Sequence, residues 1–200
     1  MTGILNKKLP HPLTFEDLRN WSPEDMDIFE AKAGEGAPFF GSHLPVIQHL
    51  LESGIHAVVD IGCGAGIQGF LFRAAGIRYI GIERYEQNLR FGEFQTQDGS
   101  VVVKQACWPC KIPEAADVST CISMYALGIA GEEDQAPATL AAMKKHFKRA
   151  YIVAFPHAQA HAQQIWGSTA QWLRPYESGD QWVQILQKKS FLSRLIKKAA

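Results

Sequence analysis

Val58-Val59-Asp60-Ile61-Gly62-Cys63-Gly64-Ala65-Gly66 puts an acid near the end of an apolar segment and glycine at every second position after it. Glycine lacks the Cβ that would hold a ligand away from the backbone, so such a loop lets main chain press against a bound molecule. A second apolar segment, Arg78-Tyr79-Ile80-Gly81-Ile82, ends in Glu83. A carboxylate at the tip of the following strand is placed to accept ribose hydroxyls. Together the two stretches describe a pocket for a nucleoside-like ligand. Gly64-Ala65-Gly66-Ile67-Gln68-Gly69 also spells the G-x-G-x-x-G of dinucleotide sites. That pattern wants its acid about 20 residues further on, whereas Glu83 lies 14 past Gly69 and 17 past Gly66. Asp60 would also set a negative charge beside a pyrophosphate.

Cys107-Trp108-Pro109-Cys110 has the spacing of a redox or half-zinc motif. A reactive thiolate is favoured at a helix N-terminus, and Lys111-Ile112-Pro113 prevents a helix from following directly. A structural zinc site needs four ligands, and no second pair with ligand spacing exists. The motif is read as two loop thiols, and no metal site is expected.

The elements that must position these groups alternate regularly. Strands are expected at His56–Ile61, Arg78–Ile82, Val101–Gln105, Val118–Met124 and Tyr151–Phe155. Helices are expected at Gly66–Ala75, at about Glu86–Phe94 and at Pro137–Arg149. Strands separated by helix-length connections predict a doubly wound α/β fold, a mostly parallel sheet with helices on both faces. Ala170–Pro175 and Gln181–Gln187 flank Glu177-Ser178-Gly179-Asp180 and predict a C-terminal antiparallel hairpin. Ahead of the alternation, residues 1–41 read as an N-terminal helical cap or lid on the unit 42–200. It would hold short helices over Thr14–Arg19 and Pro23–Lys32, the latter capped by Ser22. Ser42–Glu52 has Leu44, Ile47, Leu50 and Leu51 on one face and Gly54 as a stop. The last ten residues read as a short basic helix, more simply a solvated face than an RNA contact.

Two hundred residues, 46% hydrophobic and 20% charged, suit one ordinary soluble domain. Twenty basic and twenty acidic residues cancel, so overall charge gives no nucleic-acid or membrane signal. No apolar run reaches the roughly 18 residues that span a bilayer, and the N-terminus lacks a signal-like apolar core. The four cysteines are expected as reduced thiols in a cytoplasmic protein.

The stretch Asp60 to Gly66, with Glu83 at the end of the next strand, resembles the S-adenosylmethionine site of class I methyltransferases. The resemblance covers about Phe39 to Gln187 and includes that family's C-terminal hairpin. It implies that Gly62 and Gly64 admit the methionine moiety, that Glu83 takes both ribose hydroxyls, and that Asp60 organises the loop around the amino-acid part. By the same match Cys63, Gly66 and Met124 line the ligand. The family's acid after the third strand is missing: the chain reads Val103-Lys104-Gln105-Ala106-Cys107-Trp108. Gln105 is expected to supply a hydrogen bond there and Trp108 to stack on adenine. After the fourth strand Ser123-Met124-Tyr125-Ala126 lacks the Asn/Asp-Pro-Pro-aromatic motif of enzymes that methylate exocyclic amines of DNA bases.

Methyl transfer is an in-line displacement on a sulfonium, helped chiefly by alignment and exclusion of water. A base is needed only where the nucleophile starts protonated. Tyr125 and His157, beyond the carboxyl ends of the fourth and fifth strands, are the candidate catalytic residues. His161 shares a helix face with His157. The reading is a methyltransferase for an unidentified acceptor. A small molecule is slightly favoured over protein or RNA, and no membrane partner is expected. A degenerate S-adenosylmethionine binder without catalysis and an NAD-dependent oxidoreductase stay open beside it.

Overall fold

The computed structural model describes residues 9–89, 96–124, 126–128, 133–153, 155–167, 171–173 and 183–188. Strand β1 (Ala57–Ile61) shows how the sequence builds two cores. Val58 packs into one hydrophobic layer while Val59 and Ile61 pack into the opposite one, the period-2 alternation of a strand buried on both faces. Strands β2 (Arg78–Glu83), β3 (Val101–Gln105), β4 (Thr120–Ser123) and β5 (Arg149–Val153) run parallel to β1. Strands β6 (Gln171–Leu173) and β7 (Val183–Gln187) pair antiparallel, and β7 adds antiparallel to β5. The order is β3-β2-β1-β4-β5-β7-β6, so chain direction across the sheet reverses between β1 and β4, where doubly wound sheets open a crevice at their carboxyl ends.

Helices α1 (Phe15–Trp21), α2 (Pro23–Ala33), α3 (His43–Glu52) and α4 (Gly69–Ala74) contribute Leu18, Phe29, Ile47 and Phe72 to the layer containing Val58 and Tyr79. Helices α5 (Ala136–His146) and α6 (Pro156–Trp166) contribute Leu140, Met143, Ala158 and Trp166 to the layer containing Val59 and Ile152. The N-terminal helices share the main core. Asp25, nearly buried, accepts from the Arg73 guanidinium of α4 at 2.8 Å and from the Ser22 hydroxyl at 2.8 Å. That hydroxyl makes no cap bond to α2, contrary to the role expected of Ser22.

Other boundaries moved for identifiable reasons. α4 starts at Gly69 rather than Gly66, because residues 62–68 are spent in turns such as Gly66 N–H to Cys63 O. α5 stops at His146: Phe147 is extended and buried, and Arg149 opens β5. The expected fourth strand, Val118–Met124, pairs only over Thr120–Ser123, and the fifth, Tyr151–Phe155, is shifted to Arg149–Val153. From the helix expected at Glu86–Phe94, the described part is a 3-10 turn, Glu86–Leu89. The helix face expected to join His157 and His161 lies on α6, whose bounds are framed by Pro156 at its first turn and left-handed Gly167 at its end. The turn of the hairpin and the basic tail from 189 on lie outside the described residues. No described helix is long and apolar enough to cross a membrane.

Candidate ligand site at the carboxyl edge of the sheet

Three glycines of the loop after β1 take positive φ, each with a different neighbour. A Cβ on Gly62 would lie 2.3 Å from Ala126 Cβ, so its absence lets the loop after β4 sit directly on the glycine loop. A Cβ on Gly66 would lie 2.4 Å from Val103 Cγ2, which makes that glycine a packing requirement of β3. Among the described residues nothing lies within 4 Å of such a Cβ on Gly64, so its backbone faces away from them. Gly62 and Cys63 donate to Ile82 O at 2.8 and 3.1 Å, tying the loop to the end of β2.

Two carboxylates frame this loop. Glu83 Oε2 accepts the Gly64 N–H and Oε1 accepts the Tyr85 N–H, both at 2.9 Å. Each oxygen keeps a lone pair, since a carboxylate offers about four acceptor positions. Asp60 is 1% exposed and shares the strand parity of Val58, so it points beneath the loop toward α4. Its Oδ2 accepts from the Tyr79 hydroxyl at 2.6 Å and from Gln68 Nε2 at 2.8 Å. Gln68 also donates to Cys63 O at 2.9 Å, so one side chain links the acid to the loop it supports. Burial pushes the Asp60 carboxyl up to about 6, with the Tyr79 and Gln68 hydrogen bonds opposing that rise. Burial likewise raises the Tyr79 hydroxyl and the Cys63 thiol well above their ordinary values, so both stay protonated.

A cavity of about 430 Å³ opens over these groups. Asp60, Gly62, Cys63, Gly64 and Glu83 line it, as do Trp108 after β3 and Met124 after β4. Gly66 and Gln105 do not line it: Gly66 is turned onto Val103, and Gln105 is exposed opposite Glu83 in the β2–β3 register. His157 is also off the wall, with Nε2 on Leu127 O at 2.5 Å. Tyr125 falls outside the described residues. Sequence reading missed Gln68 and Tyr79 as partners of Asp60. The only signal for Tyr79 was its place one strand over, on the same face. Phe40, one of the N-terminal aromatics that could serve as a lid, lies on the wall; unforeseen there were Arg84 after β2, and Gln135 and Thr139 at the start of α5. Arg84 donates to Gln135 Oε1 at 3.2 Å and to the Tyr85 hydroxyl at 2.6 Å, closing the far end with polar groups. Cys107 lies on the wall and Cys110 is half-buried beside it. Among the described residues no group of three or more His, Cys, Asp or Glu could hold a metal ion.

No protein-family model matches the chain, and no curated protein matches it in sequence. Solved structures do match. The methyltransferase domain of bacterial CtHen1 superposes with a TM-score of 0.61 over 74% of this chain and 98% of its own, at 12% identity. Magnesium protoporphyrin IX methyltransferase from Synechocystis PCC 6803, solved with bound S-adenosylmethionine, scores 0.55 at 14% identity, covering 90% of this chain and all of its own. The chain has the class I methyltransferase fold. Human N-acetylserotonin methyltransferase, in complex with S-adenosylmethionine, matches the same fold at 0.57 and 11% identity, over 94% of this chain and 64% of its own. In this methyltransferase fold the glycine loop and Glu83 stand at the ends of β1 and β2, beside the β1–β4 crevice.

Proposed function

We propose that the cavity binds S-adenosylmethionine and that the protein is a methyltransferase. The observation that carries this reading is the pairing of an open Gly64 backbone with a buried Glu83 carboxylate over a cavity of about 430 Å³. Glu83 would accept the ribose hydroxyls while still holding Gly64 and Tyr85. Asp60, on the wall beneath the loop, would offer negative charge to the amino-acid end of a cationic ligand. Ala106, Trp108 and Leu127 would supply apolar surface for the base. The donor supplies a methyl group on a cationic sulfur. The chain's own contribution is to align that group and keep water away from it.

Two features weigh against a dinucleotide. The amides that would cradle a pyrophosphate are consumed by turns: Gly69 N–H goes to Gly66 O, Phe70 N–H to Ile67 O and Leu71 N–H to Gln68 O. Gly66, needed by the literal G-x-G-x-x-G, is buried against Val103. A binder without turnover remains the second reading, favoured by the exposed Gln105 where an adenine-binding acid would stand. For the acceptor, a small molecule is the reading this neutral chain supports. The matched fold includes enzymes named for a porphyrin and for acetylserotonin.

A thermal-shift titration with S-adenosylmethionine, S-adenosylhomocysteine and NAD tests the assignment. A ligand at about a hundred times its Kd adds roughly 2.7 kcal/mol, or about 5–10 °C for a chain of this length. Stabilisation by both sulfur ligands, lost in Glu83→Ala, is the expected result. Stabilisation by NAD alone contradicts it. Binding of both sulfur ligands with no methylated product from a broad acceptor panel selects the second reading.

A further inference from the structure

The loop after β4 is gripped from two sides. On the inner side Ala126 fills the place a Gly62 side chain would occupy, and Ala126 and Leu127 both line the cavity. On the outer side His157, the second residue of α6, reaches Leu127 O at 2.5 Å. A carbonyl brings no hydrogen, so Nε2 carries the proton and donates. The imidazole is itself braced by the Phe155 ring, stacked at 6.0 Å with an interplanar angle of 18°. With Nε2 committed to a backbone carbonyl and the ring off the cavity wall, the geometry suits a clamp rather than a proton acceptor for substrate.

We propose that His157 is a positioning residue: it holds residues 126–128 against Gly62 and so fixes the spacing between the β4 loop and the glycine loop. Its effect on the ligand rests on the reading of the cavity as an S-adenosylmethionine site, but the clamp itself does not. Two variants test it, His157→Ala, which removes the donor, and His157→Gln, whose amide nitrogen can reach the same carbonyl. In the ligand-free protein, millisecond hydrogen exchange is expected to speed up in peptides covering 62–64 and 126–128 for the alanine variant and to recover in the glutamine variant. The Kd for S-adenosylhomocysteine, measured by calorimetry on folded protein, is expected to rise about tenfold in the first and less than threefold in the second. Unchanged exchange at both loops overturns the clamp. A lower Tm with an unchanged Kd overturns its link to binding and leaves His157 a residue of the α6 packing. If wild-type protein binds no S-adenosylhomocysteine, the ligand reading fails while the exchange comparison still decides the clamp.

Discussion

Asp60 carries a conflict that a titration exposes. Its carboxyl is held near 6 by burial, above the ordinary value near 3.9 of an unfolded chain. Between those values the folded state binds the extra proton, so this group's contribution to stability falls as pH rises from about 4 to 6 and is flat above that. A cationic ligand has the opposite preference, because it draws on the ionised carboxylate. Binding of S-adenosylhomocysteine, whose amino-acid end carries an ammonium, is therefore expected to weaken as pH drops through about 6. Asp60→Asn should flatten that profile and raise Kd by about 10- to 100-fold, the range for a lost charged hydrogen bond. Calorimetry from pH 5 to 8 reads both effects. The glycines give a second contrast. Gly64→Ala meets no described neighbour within 4 Å, so it should cost only about 1–2 kcal/mol of backbone strain while placing a methyl toward the cavity and impairing binding. Gly62→Ala meets Ala126 at 2.3 Å and should lower Tm far more. Denaturation and ligand titration on the two variants separate these outcomes.

Elements were legible where their signals are local. The ends of β1 and β2 carried an acid, glycines and a second acid in one short stretch, so Asp60, Gly62, Gly64 and Glu83 could be placed from sequence. Trp108 and Met124 also reached the wall. Gln105 could not be placed: its strand has the expected bounds and the residue pairs with Glu83, but β3 is the edge of the sheet and leaves it exposed, and strand order is not written in local sequence. Of α6 only the His157–His161 face could be read, because its Ala- and Gln-rich run buries only Ala158, Ala162 and Trp166, a stripe too narrow to mark the helix's extent as an apolar face. The contact between the N-terminal helices and α4 is equally non-local. Arg73→Ala leaves the nearly buried Asp25 with the Ser22 hydroxyl as its remaining described hydrogen bond. The expected cost is about 1–3 kcal/mol, read as a lower Tm that Asp25→Asn partly restores in the double variant.

At the scale of the molecule, five parallel strands and an antiparallel pair follow from alternation that the sequence displays plainly, and the structure has that sheet. Long-range partnerships were hidden: Tyr79 with Asp60, Ala126 with Gly62 and His157 with Leu127 are joined by strand order rather than by spacing. These partnerships converge on the β1–β4 crevice, so ligand binding should protect segments far apart in the chain together. The most direct test of the central claim is a crystal structure with S-adenosylhomocysteine. Both ribose hydroxyls are expected within hydrogen-bond distance of Glu83, with the amino-acid end beside Gly64 and Asp60. A ligand bound elsewhere, or one whose ribose turns away from Glu83 in this cavity, would contradict it.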